Sequence, residues 1–127
     1  MSEIRVIIKR PGEAAFEAQI ANELETLQRW VGGYIETYAL CYNPAVIVIY
    51  NEEGKITNLP YNCRLGGEHF VGTILIVGVG GEEGEEFADC PYRLKTAAAI
   101  WPQLREAQPR IFSRARRGGD SKCGARG

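Results

Sequence analysis

The alternation of apolar and polar positions divides the chain into short elements. The run EIRVIIK, residues 3–9, is rich in β-favouring residues, and Pro11-Gly12 punctuates its end as a turn. From Glu17 the apolar spacing changes. Ile20, Leu24, Leu27 and Val31 recur at intervals of 4, 3 and 4, one stripe of a 3.6-residue helix. Glu23, Glu25, Gln28 and Arg29 fall on its wet side, and Trp30 sits one position off the stripe. Gly32-Gly33 then stops the helix. One glycine suits the left-handed residue just past a helix end; a second is not required by that cap.

Residues 34–40 are β-favouring, and AVIVIY, residues 45–50, is a continuous apolar strand short enough to lie centrally in a sheet. Asn43-Pro44 before it favours a turn. NEEGK, residues 51–55, reads as a second turn, after which the chain is expected to fold back as a strand through Leu59. Pro60 makes LPYN irregular. HFVGTILIVGVG, residues 69–80, reads as one strand with Gly72 marking a bulge or close packing, and an acidic loop follows. Residues 92–108 favour a helix that Pro102 should end or kink near Trp101. The predicted fold is α+β: a small, mainly antiparallel sheet with one amphipathic helix on a face, a second C-terminal helix and a basic tail.

Composition changes this picture at one point. The net charge of −1 conceals an acidic body and a basic end. Residues 1–109 hold nine Lys and Arg against fifteen Asp and Glu, whereas residues 110–127 hold six against one. The division predicts a single domain over 1–109 and a flexible tail over 110–127. At 127 residues the chain is long enough for one core without a metal or disulfide staple. Cys41, Cys63, Cys90 and Cys123 are too widely spaced for a dense disulfide framework and read as reduced thiols. No apolar run reaches the roughly 20 residues of a membrane helix, and Glu3 and Pro11 argue against a signal peptide. A cytoplasmic protein is expected.

The candidate chemistry is sparse. Glu36, Glu52 and Glu53 would form a carboxylate cluster for acid–base or metal work, but a solvated turn also needs a charged, glycine-containing NEEGK. His69 is the only histidine, and a Cys63/His69/Cys90 zinc site lacks the paired ligand spacing of zinc motifs. GVGGEEGEE, residues 78–86, is glycine-rich after a strand, yet Glu83 stands where a dinucleotide loop wants glycine, and four glutamates would repel phosphate. In the tail, Arg110, Arg114, Arg116 and Arg117 would neutralise nucleic-acid phosphates, though Phe112 alone is available for stacking. The polar turns at strand ends converge on a different idea. Gly32, Gly33, Glu36, Asn51, Glu52, Glu53, Asn62 and Arg64 would line a shallow ligand or partner site, with Gly33 allowing close backbone approach. Tyr34, Tyr38, Tyr50 and Tyr61 would add stacking surface beside it.

Several strings together resemble one family, the domain of unknown function 3846. They are Pro11-Gly12, Leu27-Gln28 with Val31-Gly32-Gly33 and Ile35-Glu36, Asn51 to Lys55, Leu59-Pro60 with Asn62, and Gly72-Thr73 with Ile76-Val77-Gly78. The sequence departs from that pattern at Cys63, which separates Asn62 from Arg64. The resemblance implies a phage or mobile-element setting and supplies no activity. The functional expectation is therefore a non-enzymatic binding protein without cofactor or metal, assembled as a homo-oligomer. It would counter host defence by sequestering a nucleotide-type signal or by binding a host protein. The alternatives are a nucleic-acid-binding accessory protein acting through the tail, and a small hydrolase using Glu52/Glu53 or His69.

Overall fold

The computed structural model of the protein describes residues 2–107; the basic tail predicted over 110–127 lies outside them. Strand β1, Glu3–Lys9, turns at Pro11-Gly12 and pairs antiparallel with β2, Phe16–Ala21. That turn places Pro11 and Gly12 between Arg10 and Glu13, whose N–H donates to the Arg10 carbonyl at 3.2 Å, and Gly12 adopts φ +78°. Proline followed by a positive-φ glycine is the chemistry of a type II turn. Helix α1, Leu24–Val31, comes next, then β3, Ile35–Tyr42, and β4, Ala45–Asn51. Strands β5, Tyr61–Leu65, and β6, Glu68–Val71, form a separate hairpin. Strands β7, Ile74–Gly80, and β8, Glu86–Ala88, precede helix α2, Leu94–Ile100, and a 3-10 helix, Pro102–Arg105.

The main sheet has the order β2-β1-β7-β4-β3, with β8 added to the far end of β7, and all its pairings are antiparallel. Alternation along its strands builds two cores. Ile4, Val6, Ile8, Ile20, Ile49, Leu75 and Val77 face α1, which contributes Leu27 and Val31. Ile7, Val46, Val48, Ile74 and Ile76 face the opposite way, under Cys63, Leu65 and Phe70 of the β5–β6 hairpin and Ala97, Ala98 and Leu104 of the C-terminal helices. Strand β7 lies between these cores with Ile74 to Val77 fully buried. This is why its apolar run is continuous rather than alternating.

The α+β architecture and the helix on one face are as predicted, and Pro102 ends α2 at Ile100 before starting a 3-10 turn. Several elements differ, among them β5, whose Tyr61 and Asn62 fall in the LPYN stretch expected to be irregular. The helix expected from Glu17 begins only at Leu24, because Phe16, Ala18 and Ile20 alternate on the β2 face that joins the α1 core. Leu24, counted in the helical stripe, is 58 % exposed. Residues 55–59 form no strand and remain in a compact turn. The expected strand 69–80 breaks at Gly72 (φ +72°), sending β6 and β7 into different sheets. The acidic loop contains β8, and Gly78 permits the crossing: a Cβ there would collide with the Asp89 carbonyl oxygen.

One ion pair ties β2 to α2. Glu17 accepts from Arg93 Nη2 at 2.9 Å and Nε at 3.1 Å, and from the Leu94 N–H at 2.7 Å. It therefore satisfies a first-turn donor of a helix that has no side-chain cap of its own. The Arg93 hydrogen bonds, then the Leu94 N–H, hold the Glu17 carboxyl below its ordinary value. A carboxyl depressed in the folded state stabilises above its unfolded pKa and loses that contribution as pH falls through the folded value. Glu17→Gln is accordingly expected to lower Tm at pH 7 by roughly 2–4 °C. The difference from the parent should disappear in acid melts, and a deficit that persists at low pH would contradict this assignment.

Candidate functional site

The last residue of β4, Asn51, organises the end of the sheet where α1 stops. Its Nδ2 donates to the Val31 carbonyl at 3.1 Å, satisfying a C-terminal helix acceptor, and its Oδ1 accepts the Glu53 N–H at 2.8 Å. The Asn51 backbone carbonyl accepts from Gly54 N–H at 3.2 Å. Across the helix end, Gly32 (φ +85°) and Gly33 both donate to the Gln28 carbonyl, at 2.8 and 3.1 Å. The second glycine has its own reason. A Cβ on Gly33 would stand 2.9 Å from Asn51 Nδ2 and 3.4 Å from its Cγ, in the space the amide occupies. The close approach that Gly33 allows is that of the chain's own Asn51.

From Asn51 the chain runs through a turn at 52–59 that is fastened on itself. Glu52 N–H donates to Tyr34 O at 2.8 Å, Thr57 N–H to Glu53 O at 3.0 Å and Leu59 N–H to Gly54 O at 2.9 Å. The Thr57 hydroxyl adds a bond to Glu53 O at 3.0 Å. Leu59 fills the hollow over two glycines: a Cβ on Gly54 would meet its Cδ1 at 3.3 Å and Val71 Cγ2 at 2.9 Å, and one on Gly72 would meet Cδ1 at 2.8 Å. Asn62 completes this fastening from β5. Its Nδ2 donates to Lys9 O at 2.8 Å and Gly72 O at 2.7 Å, while its Oδ1 is buried without a hydrogen-bond partner among the described residues.

Between the end of α1 and this turn lies a cleft of about 450 Å³, lined by Gln28, Gly32, Gly33, Tyr34, Asn51, Glu53, Thr57 and Leu59. That volume is in the range of small-ligand sites, about 300–1,000 Å³. Of the predicted site residues, Gly32, Gly33, Asn51 and Glu53 meet here. Glu36 is exposed on β3 opposite Tyr50, and neither it nor the exposed Glu52 lines the cleft, so the three glutamates do not gather around it. Asn62 serves the fastening just described. Arg64 is exposed on β5, opposite His69 on β6.

Gln28, Tyr34, Thr57 and Leu59 were not among the predicted lining residues, although Tyr34 was expected to offer a ring. Gln28 and Leu59 belong to the strings LQ..VGG and LP.N, whereas Thr57 carries no signal in sequence. The other tyrosines have structural partners. Tyr38 and Tyr50 pack edge-on against Phe70 at centroid distances of 5.8 and 5.3 Å, and Tyr61 OH lies 2.9 Å from His69 Nδ1. Cys63 is buried beneath β5, and burial pushes its thiol up to about 11, leaving it protonated at neutral pH. In the acidic turn, Glu85 Oε1 accepts the Glu83 N–H at 2.9 Å, so the chain's own carboxylate occupies an amide that a phosphate loop would offer. Arg110, Arg114, Arg116 and Arg117 lie outside the described residues.

The Asn51–Gly33 contact yields a direct test. Gly33→Ala is expected to cost about 1–2 kcal/mol by displacing the amide, and Asn51→Ala a similar amount through the lost helix-end and turn bonds. With the amide already removed, the Gly33→Ala cost should fall markedly, giving a non-additive double-mutant cycle in denaturant melts. Strict additivity would show that the two positions do not share this space.

Comparison with curated proteins and with solved structures finds no match. The comparison with protein families does: residues 4–99, from β1 through most of α2, match the domain of unknown function DUF3846. The same span contains every string on which the resemblance was drawn, and the chain belongs to that family.

Proposed function

We propose that this protein is a non-enzymatic binding protein and that the cleft between the end of α1 and the 52–59 turn receives its partner. The observation that carries this reading is the convergence of Gly32, Gly33, Asn51 and Glu53 on one concave site whose walls are held by backbone and amide hydrogen bonds. A wall fixed in advance loses little conformational freedom on binding, which favours affinity. Exposed Tyr34 supplies an aromatic face at the mouth, and Leu59 an apolar wall. In the phage or mobile-element setting the resemblance implies, such capture would counter host defence by occupying a host molecule. Cytoplasmic action and assembly of several copies are parts of the same proposal.

The reading is tested by screening a mixed library of anionic, neutral and cationic small molecules against ¹⁵N-labelled protein. Responses are expected to cluster on Gly32, Gly33, Tyr34, Glu53 and Thr57. Gln28→Trp, which fills the cleft from the helix without removing a bond that holds the turn, should weaken those hits about tenfold or more while Tm holds. Hits scattered over the surface, or indifferent to Gln28→Trp, would overturn the reading.

A further inference from the structure

We propose, resting on the cleft as the binding site, that its ligand group is a guanidinium and that phosphate-bearing ligands are excluded. The first reason is the state of the donors. A phosphate is best held by several free backbone N–H groups, yet seven of those at the cleft are committed within the chain. Gly32 and Gly33 donate to Gln28 O, Glu52 to Tyr34 O, Glu53 to Asn51 Oδ1, Gly54 to Asn51 O, and Thr57 and Leu59 to carbonyls of the same turn. The second reason is charge. Glu53 is the charged residue in the lining, and its carboxylate has no ion-pair or hydrogen-bond partner among the described residues. The cleft also borders the C-terminal end of α1, where the helix dipole presents partial negative charge. Anion sites of this type use the opposite end of a helix.

The site therefore offers the Glu53 carboxylate and negative potential to a cationic ligand rich in donors. A guanidinium fits better than an ammonium for a geometric reason. Its plane stacks on an aromatic ring and its fork of N–H groups matches a carboxylate, and Tyr34, 71 % exposed, lines the same cleft as Glu53. Leu59 at the wall gives the methylene stem of such a group an apolar surface. This chemistry reaches the cleft either as an arginine side chain of a partner polypeptide or as a free guanidino compound.

The test titrates four probes into the full-length ¹⁵N-labelled protein: N-acetylarginine methylamide, its citrulline counterpart, agmatine and AMP. The arginine compound or agmatine is expected to shift the Gly32, Gly33, Tyr34 and Glu53 amides, and the tighter of the two identifies a polypeptide or a small-molecule source. The uncharged citrulline compound should bind at least about tenfold more weakly, AMP should leave those amides unmoved, and Glu53→Gln should weaken the guanidinium probes at least about fivefold. Binding of AMP at these amides, or equal binding of citrulline and arginine, would overturn the guanidinium assignment while leaving the cleft a binding site. Silence of all four probes at the cleft would overturn the guanidinium assignment, and the library screen with Gln28→Trp then decides the cleft itself.

Discussion

The Asn51 side-chain amide is the interaction on which the functional end of this fold depends. It joins three elements: the last turn of α1, the end of β4 and the start of the 52–59 turn. A strand alone cannot hold a neighbouring helix end, because helix termini leave carbonyls that need donors. The amide supplies one donor to the helix and one acceptor to the turn at once. Its position forces glycine at 33 and, through the turn it starts, brings Leu59 over Gly54 and Gly72. The break between β6 and β7 occurs at that same Gly72, so the small hairpin is oriented by the contact that shapes the cleft.

This explains why the strings that carry the family resemblance contain little recognisable chemistry. Asn51, Gly54, Leu59, Asn62 and Gly72 are coupled parts of one fastening, with Asn62 tying the Gly72 carbonyl to the end of β1. Lys9, whose carbonyl takes part, has a buried side chain whose Nζ donates to Arg10 O, and burial draws its pKa down. Polar groups placed in this way are costly to leave unpaired, so they specify one arrangement of chain more strongly than apolar contacts do.

Much of the architecture was legible because strong periodicity coincided with tertiary burial. β1, β4, the end of α1 and the stop at Pro102 follow from local pattern alone. β2 was not legible as a strand because Ile20 falls at helical spacing from Leu24 and Leu27 as well as at strand spacing from Phe16 and Ala18. Only pairing with β1 decides between the two periods. Residues 55–59 resemble a returning strand in composition, yet hydrogen bonds within the turn use their donors first. For the site, the sequence exposed an unneeded glycine and a polar turn. It did not disclose that the glycine serves Asn51, or that most of the turn's N–H groups are used within the chain, since both depend on hydrogen bonds that only the folded chain makes.

The bonds within the 52–59 turn make it a fixed wall and not a loose hairpin tip, and a loose tip would leave no cleft to receive a ligand. Native-state amide hydrogen exchange at Gly54, Thr57 and Leu59 tests it most directly. These three amides should be protected well beyond the free-peptide rate and lose protection together in Asn51→Ala. Exchange at the rate of an unstructured loop in the parent protein would contradict it.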